Sequence, residues 1–155
     1  MDFITDRTAV DVARAQQYRS RGWNNLTAAE KAEWLAGLKG AYNYTDLNRV
    51  ESAVAAIRDR LVAEGYPVET EATRTWSATD VPTASDLGRY LRNVRTIREA
   101  FAVKRTTPQT PTSMSGLNYV GANAIEQILA DVDQLLTNMI SAYTFSSEIY
   151  GGESL

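Results

Sequence analysis

Two identical sets of polar residues, each with spacings of four and three residues, are the best candidates for a site in this sequence. They are Tyr44, Asn48 and Glu51 in the first set and Tyr119, Asn123 and Glu126 in the second. Such spacings place each set on one face of a helix. The carboxylate and amide oxygens suit a hard cation such as Ca²⁺ or Mg²⁺. The alternative is structural: each Asn and Glu bonds to a helix end or linker from the other half, with the Tyr packed over them.

The absence of two residue types narrows the possible chemistry. The chain has no Cys and no His. Disulfides, thiol catalysis, Ser-His-Asp triads and metal sites built on Cys or His are therefore excluded. One enzymatic hypothesis is left, in which Glu51 and Glu126 do acid–base work with a divalent metal. We expect instead a protein that is not an enzyme and has no cofactor or metal.

Size and charge indicate a soluble globular protein. The 155 residues, 44% of them apolar, are enough for a single domain spanning 1–155. The net charge of −3 argues against a nucleic-acid partner. The longest apolar run, residues 53–57, is far too short to cross a membrane. The first residues have no signal-peptide pattern, so we expect synthesis in the cytoplasm.

Capping residues, apolar periodicity and glycines predict about five helices. These run from Thr8 to Gly22, from the Thr27 capping box to Gly40, from a Thr45 cap to Gly65, from Thr83 to about Lys104, and from about Asn118 to Ala142. Residues 66–82 are predicted to form a connector that is extended or contains one short strand. Residues 106–116 are a loop by composition, and residues 143–155 form a tail.

An internal match at an offset of 75 residues predicts a degenerate duplication of about 8–65 and 83–140. Thr8 and Asp11 match Thr83 and Asp86 at this offset, and the two polar sets match each other. Neither half is large enough to bury its apolar stripe well. We therefore predict an all-α bundle in which the two long helices pack together around a pseudo-twofold axis.

Two further groups of residues are candidate partner surfaces. One is a basic stripe on the fourth helix, Arg89, Arg92 and Arg95, which either binds an acidic partner or phosphate or is paired within the molecule. The other is the aromatic tail, Tyr143, Phe145 and Tyr150, which either forms an interface or folds back onto the bundle. From Thr106 onward the chain has five acidic residues and no Lys or Arg.

The segment from Tyr42 to Glu51, with its sequence YNYTDLNRVE, resembles a signature of tail-region proteins of phages and prophages. Residues 34–38, 76–83 and 131–139 resemble the same small family, so the similarity covers most of the chain. The resemblance implies a virion component near the tail tip, baseplate or fibre, made in the cytoplasm of the bacterial host. It implies no mechanism and no catalytic residues.

The resemblance and the duplicated helical design predict a non-enzymatic phage structural protein. We expect an adaptor that contacts copies of itself and other tail proteins, and a homo-oligomer, since phage tails have three- and sixfold symmetry. The alternative is a small phage regulator or inhibitor that binds a host protein through its helical and acidic surfaces. Such a protein is expressed early and is absent from particles.

Overall fold

A computed structural model describes the backbone of residues 1–151 and the side chains of residues 1–146. It contains five α-helices and, among these residues, no strand, which confirms the prediction of an all-α bundle. The helices are α1 (Ala9–Arg21), α2 (Ala28–Gly37), α3 (Tyr44–Ala63), α4 (Ala84–Ala100) and α5 (Tyr119–Gly151), with one turn of 3₁₀ helix at Trp23–Asn25. No helix in this part of the chain is long and apolar enough for a membrane span.

Four of the helices begin with a capping box, in which a side chain and a backbone amide three residues apart satisfy each other. Three of these caps, Thr8, Thr27 and Thr83, are as predicted. The prediction for α3 is wrong, because the cap is Asn43 and not Thr45. Asn43 is followed three residues later by Asp46, which completes the box, whereas Thr45 has no acidic residue at that distance.

Three helix ends also differ from prediction. Helix α2 ends at Gly37, where φ is +95°, and not at Gly40. Helix α4 ends at Ala100 instead of Lys104, because Phe101 is extended and packs edge-on against Tyr66 with ring centroids 4.9 Å apart. Helix α5 does not stop at Ala142 but continues to Gly151, since no Gly or Pro lies between these two residues.

Helices α3, α4 and α5 form the centre of the bundle and run in the same direction. Residues near the start of α3 pair with residues near the start of α5, and later residues pair with later ones. Arg49 of α3 bonds Glu126 of α5, and Arg60, further along α3, bonds Asp133. Likewise, Tyr42 just before α3 contacts Tyr90 of α4, and the residues just after each helix, Tyr66 and Phe101, also meet. All three helix N-termini therefore lie at one end of the molecule.

The buried residues form two clusters. The larger is made by the facing stripes of α3, α4 and α5 together with Val68 and Trp76 from the connector. The smaller contains Ala15 and Tyr18 of α1 with Leu26 and Leu38. Helices α1 and α4, which match in sequence, thus belong to different clusters, and the duplication and its pseudo-twofold axis stay a prediction.

The connector between α3 and α4 is extended and is held by an amide side chain rather than by a neighbouring strand. Asn93 of α4 accepts a hydrogen bond from the Glu71 amide at 2.9 Å and donates to the Glu71 carbonyl at 3.0 Å. Residues 66–82 contain no helix and no strand, and residues 77–80 form a turn, so the alternative of a short strand is wrong for this segment. The Asn93 side-chain amide thus satisfies a backbone amide and a backbone carbonyl, as a neighbouring strand would in a sheet.

Gly40 lets two backbone segments touch, the chain that follows α2 and the start of α1. A Cβ atom at this position would lie 2.0 Å from the Asp11 carbonyl oxygen at the start of α1. We expect Gly40→Ala to lower the free energy of unfolding by about 1–3 kcal/mol, as overpacking does. Urea unfolding followed by circular dichroism measures this change.

The matched control is Gly88→Ala inside α4, where the added Cβ meets only the end of the Arg92 side chain at 3.2 Å. Because Ala is the better helix former, this variant is expected to gain up to about 1 kcal/mol. Equal stability of Gly40→Ala and the unmodified chain would contradict the close approach described here.

Candidate functional site

The first polar set holds the connector onto helix α3. The Asn48 side chain donates to the Trp76 carbonyl at 2.8 Å and accepts from the Trp76 amide at 2.7 Å. Glu51, three residues on, accepts hydrogen bonds from Arg89 of α4 and, at 3.4 Å, from the Trp76 indole. The set thus fixes the segment that leads into α4.

The second polar set holds the N-terminal segment onto helix α5 in a similar way. Asn123 accepts from the Arg7 amide at 3.0 Å and donates to the Arg7 carbonyl at 2.9 Å. Glu126 accepts a hydrogen bond from the Ile4 amide at 2.7 Å. In both sets an Asn and a Glu three residues apart therefore bind the extended chain that precedes a shorter helix.

Glu126 is also the centre of a buried ion-pair cluster, which we call the Glu126 cluster: Arg7, Asp46, Arg49 and Glu126. The Arg7 guanidinium lies 2.6 Å from Glu126 and 2.8 Å from Asp46. Arg49 bonds both carboxylates as well. Two positive and two negative side chains balance each other, which is the condition under which buried charges are tolerated.

The electrostatics of this cluster favour the ionised form of Glu126. Its side chain is 0% exposed, and this burial raises the pKa. Hydrogen bonds from Arg49, from a backbone amide and from Arg7 outweigh burial and hold the pKa of Glu126 below its usual range. The same bonds raise the pKa of Arg49 further above its already high value, against the effect of burial.

The two carboxylates do not form one site. The partners of Glu51 are Trp76 and Arg89, whereas those of Glu126 come from the N-terminal segment and from Arg49. Each carboxylate is therefore occupied by an arginine. Among the described residues, no three acidic side chains are grouped as ligands for a metal ion.

The two tyrosines of the sets lie in cavity walls. Tyr44 is 41% exposed and lines a cavity of about 550 Å³ near the N-terminal end of the bundle, and Tyr119 lines a different cavity of about 290 Å³. In the part of the chain that the structure describes, neither ring has a hydrogen bond to the Asn and Glu of its set. The ring packed on the Glu126 cluster is instead Tyr42, whose centroid is 5.4 Å from the Arg7 guanidinium carbon.

The sequence analysis missed several members of these clusters. Arg7 carries no signal in spacing, because it meets Asp46 and Glu126 only when three separate segments pack together. Asp46 and Arg49 are three residues apart on α3 and pair within that helix. Asn93, which holds the connector, has no matching Asn in the first half of the chain. The one available signal was that Asp46 follows Asn43 by three residues, as a capping box requires.

The basic stripe on α4 is largely used within the molecule. Arg89 bonds the buried Glu51, and Arg92 bonds Glu71 at the surface. Arg95 is exposed and has no ion-pair partner among residues 1–146. Of the three candidates, the structure thus leaves Arg95 unpaired and Arg92 in an exposed pair.

The aromatic tail continues helix α5 instead of folding back. Tyr143 and Phe145 are 66% and 67% exposed, so the alternative in which the tail folds back onto the bundle is wrong for these residues. The side chain of Tyr150 lies outside the described residues. The residues predicted as a tail therefore belong, as far as Gly151, to the projecting end of α5, a helix of 33 residues.

Comparisons with protein-family models, with curated proteins and with solved structures found no match to this chain. The resemblance to phage tail-region proteins therefore stays a hypothesis. The geometry itself gives two ion-paired clusters that hold chain segments in place, an exposed arginine on α4, Arg95, that has no ion-pair partner among residues 1–146, and one projecting aromatic helix.

The bonds made by Asn123 predict a measurable loss of stability. Asn123→Ala leaves the Arg7 amide and carbonyl without partners, and each unsatisfied buried group costs about 1–3 kcal/mol. We expect the free energy of unfolding in urea to fall by about 2 kcal/mol. Asn138→Ala, an exposed position on the same helix, serves as the control and is expected to be near neutral. Equal losses in the two variants would contradict a specific role for Asn123.

The lowered pKa of Glu126 predicts a dependence of stability on pH. Because the pKa in the folded state is below the unfolded value of about 4.3, the stabilisation is complete above that value and is lost as the pH falls through the folded pKa. Glu126→Gln should therefore be destabilising by about 3 kcal/mol at about pH 7, and the gap to the unmodified chain should narrow toward about pH 3.

Urea unfolding at the two pH values measures this gap. The control is Glu99→Gln, at an exposed position of α4, which is expected to change stability little at either pH. A gap for Glu126→Gln that is the same at both pH values would show that the charge of Glu126 does not contribute.

Proposed function

We propose that this chain is a non-enzymatic structural protein of a phage particle, an adaptor associated with the tail, baseplate or fibre that acts through protein–protein contacts. The observation that carries the proposal is the projecting end of α5. All of residues 141–146 are exposed, and two of them are aromatic. Large exposed apolar side chains are typical of a surface that another protein covers.

The ion pairs of Glu51 and Glu126 support a role other than catalysis. An acid–base pair needs carboxyl groups that are free to exchange protons at a reacting centre. Glu51 and Glu126 are instead bonded to arginines, and they hold chain segments in place. The resemblance of the YNYTDLNRVE segment to phage tail-region proteins gives the proposal its biological setting.

Quantitative mass spectrometry of purified particles tests the proposal. The sample is the phage whose genome encodes this chain, and the control is a lysate of the same infected cells. We expect the chain in the particles at a fixed ratio to the known tail proteins. That ratio also gives its copy number.

Absence of the chain from particles, together with its presence in infected cells, would overturn the proposal. The regulator that binds a host protein would then be the better hypothesis. An early time of expression in the infection cycle would agree with that outcome, since a structural protein is made with the other particle components.

A further inference from the structure

Helix α5 extends beyond the bundle that supports it. Met139 and Ile140 still pack against the larger core cluster, but every residue from 141 to 146 is exposed. Helix α3, its neighbour, has already ended at Ala63, and Tyr66 contacts Met139 at this level. At 1.5 Å per residue, the 11 residues from 141 to Gly151 project about 16 Å.

The two aromatic residues of this projecting end do not share a face. Tyr143 and Phe145 are two positions apart, which corresponds to about 200° around the helix. Exposed aromatic rings therefore point to opposite sides. A helix of this kind is suited to a groove that surrounds it, because contact with a flat surface would leave one ring in water.

A groove lies at the opposite end of the bundle, where the three central helices begin. It consists of two adjoining cavities of about 550 and 440 Å³, which share Leu87 and Met114 in their walls. We call this the N-terminal groove. Its larger part is lined by apolar and aromatic side chains, including Tyr42, Tyr44 and Trp76.

The two ends of the molecule carry complementary charge. The smaller part of the N-terminal groove is lined by Arg92 and Arg95, the latter exposed and without an ion-pair partner in the described part of the chain. The projecting end, residues 141–151, has one acidic residue, Glu148, and no Lys or Arg. The other acidic residues of α5, Glu126, Asp131 and Asp133, are paired within the bundle. A helix C-terminus also carries partial negative charge, whereas helix N-termini carry positive charge.

We propose that the projecting end of α5 in one copy of this chain inserts into the N-terminal groove of a second copy, so that copies associate head to tail. The inference rests on the proposed function, which it deepens by naming a second copy as one partner of the adaptor. Such an interface joins two different surfaces and produces a ring or a filament. Pairing of two projecting ends would instead bring together two segments without any basic residue.

Sedimentation velocity and light scattering of the purified full chain measure the association. Two variants test its two surfaces: the tail variant, Tyr143→Ser with Phe145→Ser, and the groove variant, Tyr44→Ser with Arg95→Glu. All four positions are exposed, so the fold should be retained, which circular dichroism checks. The control, Val10→Ser with Leu35→Ser, removes two exposed apolar side chains elsewhere.

We expect the unmodified chain and the control to self-associate, and each of the other variants to do so at least tenfold more weakly. Mixing the tail variant with the groove variant should give a 1:1 heterodimer that does not grow further. This follows because the mixture contains one intact groove and one intact projecting end. Association between two identical surfaces cannot be restored by such mixing.

Three results would overturn the inference: a monomeric unmodified chain at all concentrations, a tail variant that associates as well as the control, or a mixture that stays monomeric. The mass spectrometry of particles keeps this test separate from the proposed function. A chain that is found in particles but is monomeric in solution refutes only the head-to-tail contact. Head-to-tail association of a chain absent from particles refutes only the virion role.

Discussion

The common direction of α3, α4 and α5 is the constraint on which the rest of the structure depends. Parallel helices cannot be joined by tight turns, so each connection must return along the whole bundle. A returning segment exposes a full set of backbone amides and carbonyls, which lose water when they pack. No strand accompanies the extended segments among the described residues, and three asparagines take over that role. Asn48 and Asn93 hold the connection between α3 and α4, and Asn123 holds the N-terminal segment. Each binds one backbone amide and one carbonyl.

The same constraint explains the buried charges. Three helix N-termini at one end place three positive dipole ends close together, and acidic side chains near those ends offset their repulsion. Asp46 and Asp86 do so in the first turn of α3 and α4, and they also complete the capping boxes. Glu126 lies too deep to be ionised without a partner, and arginines from two other segments supply the balancing charge. The carboxylates thus act in assembly of the fold.

The sequence predicted well the features that depend on residues close together in the chain. A Thr with an acid three residues later identifies a helix start, and an apolar stripe identifies the buried face, without knowledge of the remaining chain. The match between two halves also identified the Asn and Glu pairs, although not their partners. Contacts between distant segments were not predictable in this way. Arg7 reaches Asp46 and Glu126 only because the N-terminal segment packs across two helices, and α4 ends where Phe101 meets Tyr66.

A bundle of parallel helices has two different ends. In an antiparallel bundle, helix starts and helix ends alternate, so that the two ends are alike in charge. Here the helix N-termini lie around an apolar groove at one end. At the other end a single helix, α5, extends beyond the helices that it packs against. An unsupported helix of about three turns is only marginally stable in water, and its aromatic side chains make it less soluble. Its sequence nevertheless contains no helix breaker before Gly151, which favours a helix that becomes fully stable when another protein surrounds it.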